Sequence, residues 1–283
     1  MAAFAPEIIT HLGPLPITNT LIHTLFVDFI LISLAIYLSK RIKIISSGLQ
    51  TVVEPIIESL YTLTESIAPS KKAIKSIFPF VATFFLFIFV SNFTGLLPGI
   101  GTIGFFPKEN TLIESTHAES ASLTETKKTE HVFVPIMRGA TSDINVTLAL
   151  SVISVVATHA LSILITGWKD YLSRWFSFNP INLYVGLLEL VAEFTKIISL
   201  SFRLFGNIYA GEVALHTISS LFAFLAPIPF LLLESLVSIV QALVFSILTL
   251  VFMSVLTKPH HEAHEPAQSH AILHENSEEV VLR

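Results

Sequence analysis

The sequence predicts an all-α, polytopic membrane protein with about five membrane helices, a surface amphipathic helix and a long, tilted C-terminal helical hairpin. Three observations predict it. Charged residues make up only 13% of the 283 residues and hydrophobic ones 52%, with mean hydropathy +0.74, whereas soluble domains carry about a quarter charged residues. Apolar runs recur that reach the roughly 20 residues one crossing needs. The last apolar region is far too long for a single upright crossing. The same composition excludes other classes. With Gly 11, Pro 14 and Cys 0 the chain is not collagen-like, disordered or a disulfide scaffold. Without cysteine there is no thiol catalysis or iron–sulfur ligation, and the redox compartment cannot be read. A net charge of −5 argues against nucleic acid as a partner.

The chain reads as a single membrane domain, 1–283. Residues 1–16 hold Pro6, Pro14 and Pro16 but no Lys or Arg, and show neither the basic start nor the cleavage site of a signal peptide. They read as a short polar outer segment. A first span follows over 17–38, with Thr18 or Asn19 as its cap. It is interrupted by Asp28 and closed by the basic stop Lys40, Arg41 and Lys43, which reads as cytoplasmic. Over 49–67, Val52, Val53, Ile56, Ile57, Leu60, Leu63 and Ile67 recur near helical spacing between Glu54, Glu58 and Glu65, the pattern of an amphipathic helix on the membrane surface. Lys71, Lys72 and Lys75 set the same side. A Phe-rich span covers 77–97. Residues 99–142 form a polar, less basic outer loop, to which the sequence gives no role. A third span covers 143–168, with His159 inside it, and Lys169 and Arg174 return the chain to the cytoplasm. The tail, 258–283, carries His260, His261, His264, His270 and His274. It reads as cytoplasmic, solvated and partly disordered, with a metal site as the alternative.

Residues 182–225 run without proline, Pro227 and Pro229 interrupt, and a second run covers 230–256. The first helix would reach roughly 60 Å, against a hydrocarbon core about 30 Å thick. Tilting or bending relieves such a mismatch. Of the chain's 16 basic and 21 acidic residues, six lie in this hairpin: Glu189, Glu193, Lys196, Arg203, Glu212 and Glu234. Each costs roughly 2.5–3.5 kcal/mol at a span centre. At about 100° per residue, Glu189, Glu193, Lys196, Arg203 and Asn207 share a stripe less than about 90° wide, while Glu212 and His216 fall on the other side. Glu234, Ser238 and Gln241 share a face of the last helix. Arg203 stays protonated, so it cannot relay a proton but can hold a fixed charge. Glu and His can exchange protons or line an aqueous path. A permanent cation flanked by two titratable groups indicates two aqueous half-paths with a barrier between them. The plainer reading of Glu189, Glu193 and Lys196 is an internal ion pair. Arg203 has no acidic neighbour at i±3 or i±4, so its partner must come from elsewhere. Asp28 and His159 read equally well as helix–helix hydrogen bonds or as conduits.

The segment Ser199-Leu200-Ser201-Phe202-Arg203-Leu204-Phe205-Gly206-Asn207-Ile208-Tyr209-Ala210-Gly211-Glu212 closely resembles subunit a of the F-type ATP synthase. Three further matches follow in order. Ser91-Asn92-Phe93-Thr94-Gly95-Leu96-Leu97-Pro98 resembles the end of that family's second span, Thr141-Ser142-Asp143-Ile144-Asn145-Val146-Thr147 the start of its third, and Gln241-Ala242 its last. The resemblance covers roughly residues 20–257. It implies a non-catalytic, proton-translocating stator of a rotary motor, facing a rotor ring of c subunits that each carry a mid-membrane carboxylate. Peripheral-stalk b subunits, the rest of the synthase, membrane lipid and the transported proton would be its other partners. Arg203 would draw the ring carboxylate into its ionised form and block a leak between half-channels. Asn207 and Gln241 would be its polar neighbours at the ring. Glu212, with Glu234, would line the outer half-channel, and His216 lies one turn beyond Glu212. Glu189 and Lys196 match positions near the cytoplasmic half-channel, with Glu193 one turn from Glu189. A histidine often stands in the family where Glu234 stands here. The resemblance implies no cofactor, and no phosphate-cradling glycine loop is present. It implies a cell inner membrane, with the N-terminus outside and the C-terminus cytoplasmic. An Arg-rich, acidic-poor transit peptide is lacking, although a processed chain would look the same. The competing classes are a self-contained secondary transporter, for which no internal repeat is found, a structural subunit with paired charges, and a sodium-coupled form of the same subunit.

Overall fold

The computed structural model describes residues 7–12, 15–43, 48–97, 100, 104–105, 134–175, 180–221 and 227–257. The histidine-rich tail and most of the 99–142 loop lie outside the described residues. The chain is built from helices: α1 (Asn19–Arg41), α2 (Leu49–Ile67), α3 (Lys71–Gly95), α4 (Ile144–Thr166), α5 (Trp168–Trp175), α6 (Pro180–Leu221) and α7 (Pro227–Leu256). Four of them, α1, α3, α4 and α7, are long and apolar enough to cross a membrane. The fifth long helix, α6, has 42 residues and carries five charged side chains. At roughly 63 Å it cannot stand upright within about 30 Å of hydrocarbon. Among the described residues the strands form two short antiparallel pairs, one in the N-terminal segment (Ile8–Leu12 with Leu15–Thr18) and one of Gly104–Phe105 with Val134–Pro135.

Helix boundaries follow local chemistry. Thr18 caps α1 by accepting from the Leu21 amide, Ser70 caps α3 through Ala73, and Asp143 caps α4 through Asn145. The Ser70 cap starts α3 at Lys71 rather than at 77, so the second basic cluster sits in the first turns of the span. The helix continues through Pro79, whose exposed neighbour Thr83 donates its hydroxyl to the Pro79 carbonyl. Pro180 and Pro227 open α6 and α7 at the first helical position, where a missing amide costs nothing. The third span ends at Gly167, whose φ of +94° and ψ of 157° lie in a region that glycine alone adopts readily. That turn redirects the chain into α5, a short helix the sequence reading merged into its surroundings.

The core lies between α3, α7, α4 and α6. Phe84 and Phe245 meet at 5.6 Å, and Ile77, Val81, Leu250 and Met253 are fully or nearly fully buried. On α4, Thr147, Ser151, Ser154, Thr158 and Ser162 recur every three or four residues and are all buried. Such small residues let helices approach closely and bond across the seam. Ser154 pairs with Thr249 at 2.8 Å, Thr147 with Ser201 at 3.2 Å, and Ser162 donates to the Leu256 carbonyl at 2.7 Å. The α2 helix is more than a surface helix. Leu60 and Thr64 are buried, and its last carbonyl, Ile67, accepts from Ser254 of α7.

A polar knot ties α1, α3 and the turn at 140–142 together. Thr20 donates to Asp143 Oδ2 at 2.8 Å, and Thr141 donates to Asn92 Oδ1 at 2.5 Å. The Ala140 amide donates to Nδ1 of the fully buried His23 at 3.1 Å. His23 therefore carries its proton on Nε2, which faces the Thr94 hydroxyl at 3.1 Å. Outward faces remain apolar: Leu25, Phe29 and Ile32 on α1 are each at least 60% exposed, as lipid-facing side chains would be.

Gly167→Ala has no steric obstacle within 4 Å. Its cost is therefore backbone strain, about 1–3 kcal/mol. The expected result is a lower thermal midpoint for the detergent-purified protein. An unchanged midpoint would show that the α4–α5 turn adopts another conformation.

Candidate functional site

The polar residues of the hairpin fall into three groups along α6. The first gathers around Glu193, a residue only 6% exposed. Its Oε1 accepts from Lys196 Nζ at 2.6 Å, and its Oε2 lies 3.6 Å from Nε2 of His159 on α4. His159 Nδ1 lies 3.1 Å from the Tyr171 hydroxyl on α5. The Lys196 ammonium also stands 4.7 Å over the Phe252 ring of α7. Of the pairs left open by the sequence, the structure closes Glu193 with Lys196. Glu189 is half-buried one turn away.

The second group is Arg203 with Asn207, close to the middle of α6. Arg203 is exposed, and its Nη2 donates to Ser199 Oγ at 3.4 Å, a long bond. Among the described residues no carboxylate lies within ion-pair distance of it. Asn207 Nδ2 donates to Gln241 Oε1 of α7 at 2.7 Å. This bond joins two of the segments singled out in the sequence, which are 34 positions apart.

The third group surrounds Glu212. Arg138, at the end of the outer loop, grips it through two hydrogen bonds, Nε to Oε1 at 3.0 Å and Nη2 to Oε2 at 3.1 Å. The side chains are 9% and 34% exposed. Two-pronged pairs of this kind fix geometry as well as charge. Glu234, 6% exposed, packs into the space left by Gly211, where a Cβ would lie 2.6 Å from the Glu234 Cδ. A side chain at 211 would force that carboxyl to move. His216, one turn beyond Glu212, is exposed. At the N-terminal segment, burial pushes the Glu7 carboxyl up from its usual range, and the positive charge of Arg138 partly opposes this.

The structure thus divides the single stripe read from the sequence. Glu193 turns inward to α4, Asn207 reaches α7, and Arg203 faces out. Sequence reasoning missed Arg138, whose partner lies 74 positions away. The only local signal is that Arg138 directly precedes the buried turn at 140–142. It also left His159 open and did not single out Tyr171. Asp28 joins none of these groups. It lines a separate cleft of about 910 Å³ between α1, α3 and α4. Among the described residues, no cluster of three or more His, Asp or Glu side chains is arranged to hold a metal.

Apolar spanning helices around one over-long helix that carries charged groups define a polytopic membrane protein. The family model described as ATP synthase A chain matches residues 20–254, and the chain belongs to that family. It is 28% identical over 244 residues to an ATP synthase subunit a 1 of Hahella chejuensis, which covers 86% of each chain. It is 27% identical over 260 residues to the ATP synthase subunit a of Moorella thermoacetica, covering 92% of this chain and 100% of that one. A Legionella pneumophila subunit a is 27% identical over 244 residues, covering 86% of this chain and 88% of that one. Membership makes the chain a membrane subunit of the F-type ATP synthase complex, concerned with ATP synthesis and ion transport, and supports a proton-channel role.

Arg138→Ala removes both prongs from a half-buried carboxylate. The expected loss exceeds the roughly 1 kcal/mol of an exposed pair. It should appear as a lowered thermal midpoint of the purified complex, partly recovered in Arg138→Lys. An unaltered midpoint in the alanine variant would mean that the pair contributes nothing to the fold.

Proposed function

We propose that this chain is the non-catalytic, proton-translocating stator of the rotary synthase. It offers two aqueous half-paths to the carboxylates of a rotor ring of c subunits and keeps them apart with Arg203. One observation carries this reading. Arg203 is a permanent cation near the middle of α6, exposed, and without a carboxylate among the described residues. It emerges beside an apolar strip in which Leu187, Val191, Phe194, Ile198 and Phe202 are each more than half exposed. A charge in that setting calls for a counter-charge or water, and a ring carboxylate would supply the counter-charge. When that carboxyl arrives protonated, the guanidinium favours its ionised form and the proton leaves through the adjoining half-path.

The inner half-path would run by Glu189, Glu193 and Lys196, and the outer one by Glu212, Glu234 and His216, with Arg138 holding Glu212 in place. Asn207 and Gln241, bonded to each other, would form the polar surround of the arginine. Each charge moved through 100 mV gains about 2.3 kcal/mol, so a few steps per ATP suffice if leakage past Arg203 is slow. Basic residues at the end of α1 (Lys40, Arg41), the start of α3 (Lys71, Lys72) and the start of α5 (Lys169) support a cytoplasmic placement for those ends. The N-terminus and the loop before α4 would then lie outside, and the C-terminal tail in the cytoplasm of a cell inner membrane. Peripheral-stalk b subunits and lipid would complete its surroundings. The chain needs no cofactor for this task.

Arg203→Ala should abolish proton-driven ATP synthesis in membrane vesicles while the complex still assembles. Wild-type synthesis rates would contradict the assignment. Glu212→Gln should slow proton flow several-fold without preventing assembly, and unchanged pumping would take Glu212 out of the path.

A further inference from the structure

The α4–α5 turn brings together three groups that the path described above does not fully use. Tyr171 of α5 folds back twelve positions to place its hydroxyl 3.1 Å from Nδ1 of His159. The ring of His159 stands edge-on to that of Tyr171, at 6.0 Å between centroids. Its other nitrogen, Nε2, faces Oε2 of Glu193 at 3.6 Å. A cavity of about 400 Å³ adjoins all three side chains and is otherwise walled by apolar residues such as Val155, Leu190 and Phe194. At roughly 30 Å³ per water it has room for several. An apolar pocket with a few converging polar groups is the usual form of a working site. Glu193 lies on the same helix as Arg203, ten residues and roughly 15 Å before it.

We propose that His159, oriented by Tyr171, is a proton-relay residue at the inner end of the path, passing protons between Glu193 and water beyond the Tyr171 hydroxyl. This rests on the stator reading and adds to it a residue from α4. The imidazole suits the task because its two nitrogens face opposite ends of the chain of groups. A proton carried by Glu193 as O–H passes to Nε2 of the neutral ring. The O–H bond breaks, the N–H bond forms, and the carboxylate is restored beside Lys196. The imidazolium gives its Nδ1 proton to the Tyr171 oxygen as the hydroxyl releases its own proton to water. Exchange with cavity water, which takes the proton from Nε2 and returns one to Nδ1, then restores the starting tautomer. Run in reverse, the same steps bring a proton in. The 2.6 Å contact with Lys196 keeps Glu193 from trapping the proton. Tyr171 both orients His159 and is the last link to water, a link that a water molecule can replace when the hydroxyl is removed.

The test uses vesicles carrying the complete synthase complex, with proton flux as the readout. His159→Gln keeps hydrogen-bonding capacity but cannot relay, and His159→Ala opens the cavity to a small base. Both should assemble and lose at least about tenfold in flux, as removal of a general acid–base typically does. Added imidazole should restore flux in the alanine variant, whereas pyrazole, similar in shape but a much weaker base, should not. Tyr171→Phe should lower flux less. Wild-type flux in His159→Gln would overturn the proposal, and so would a loss in His159→Ala that imidazole fails to restore. Should the alanine variant fail to assemble, the glutamine variant decides alone. Arg203→Ala in parallel separates the two readings. Lost coupling there beside wild-type flux in His159→Gln removes only the relay, whereas wild-type behaviour in both removes the stator reading as well.

Discussion

A guanidinium cannot give up its proton, so Arg203, near the middle of a helix of 42 residues, must find a counter-charge or water. Its own chain supplies a serine hydroxyl at 3.4 Å. The rest of the architecture can be understood as what is needed to hold that charge in place. The apolar helices α3, α4 and α7 build a core against which α6 rests. Buried Leu200, Leu204 and Ile208 anchor the inward side of α6 around the arginine. The opposite side, with Phe202 and Arg203, stays open. A fixed cation on a largely apolar outward face is costly for an isolated chain, and the proposed ring carboxylate would lower that cost.

The other charges of the hairpin are handled differently, and the contrast is informative. Glu193 has Lys196 and His159 beside it, and Glu212 has both prongs of Arg138. Glu234 is accommodated by a glycine rather than by a visible cation. Pairing lowers the cost of a buried charge but does not remove it. A fold selected for stability alone would do as well with apolar side chains at these places. Their placement at opposite ends of α6, on either side of Arg203, which no carboxylate among the described residues reaches, fits the proposed path with exchangeable groups at two ends and a barrier in the middle.

Much of this was legible in the sequence, and the reason is periodicity. A span announces itself by its apolar length, and the alternation of Val53, Ile56, Leu60 and Leu63 with Glu54 and Glu58 marks α2 without reference to anything else. The Thr18 cap and the stop after Lys40 and Arg41 are local signals too. The motif segments around Asn92 and Asp143 are each visible alone. That they meet in one knot, Thr141 on Asn92 and Thr20 on Asp143, is a matter of how helices pack. The helical wheel placed Glu193, Arg203 and Asn207 on one stripe but could not say that they face three different surroundings. Arg138 was invisible for the same reason. It lies in a loop without periodicity, and its partner is chosen by the approach of that loop to α6. The α5 helix was missed because eight residues after a glycine carry too little pattern to separate from a span end.

The central claim is that the open face of α6 meets a rotor ring. The chain contains no cysteine, so a single cysteine introduced at Phe202 can be cross-linked without background from this subunit. In native membranes a short thiol-reactive photo-crosslinker at that position should join this chain to the c subunit, in a band confirmed by mass spectrometry. A cysteine at Phe29, on the outward face of α1, should not. Adducts to the c subunit from Phe29 and not from Phe202 would contradict the account.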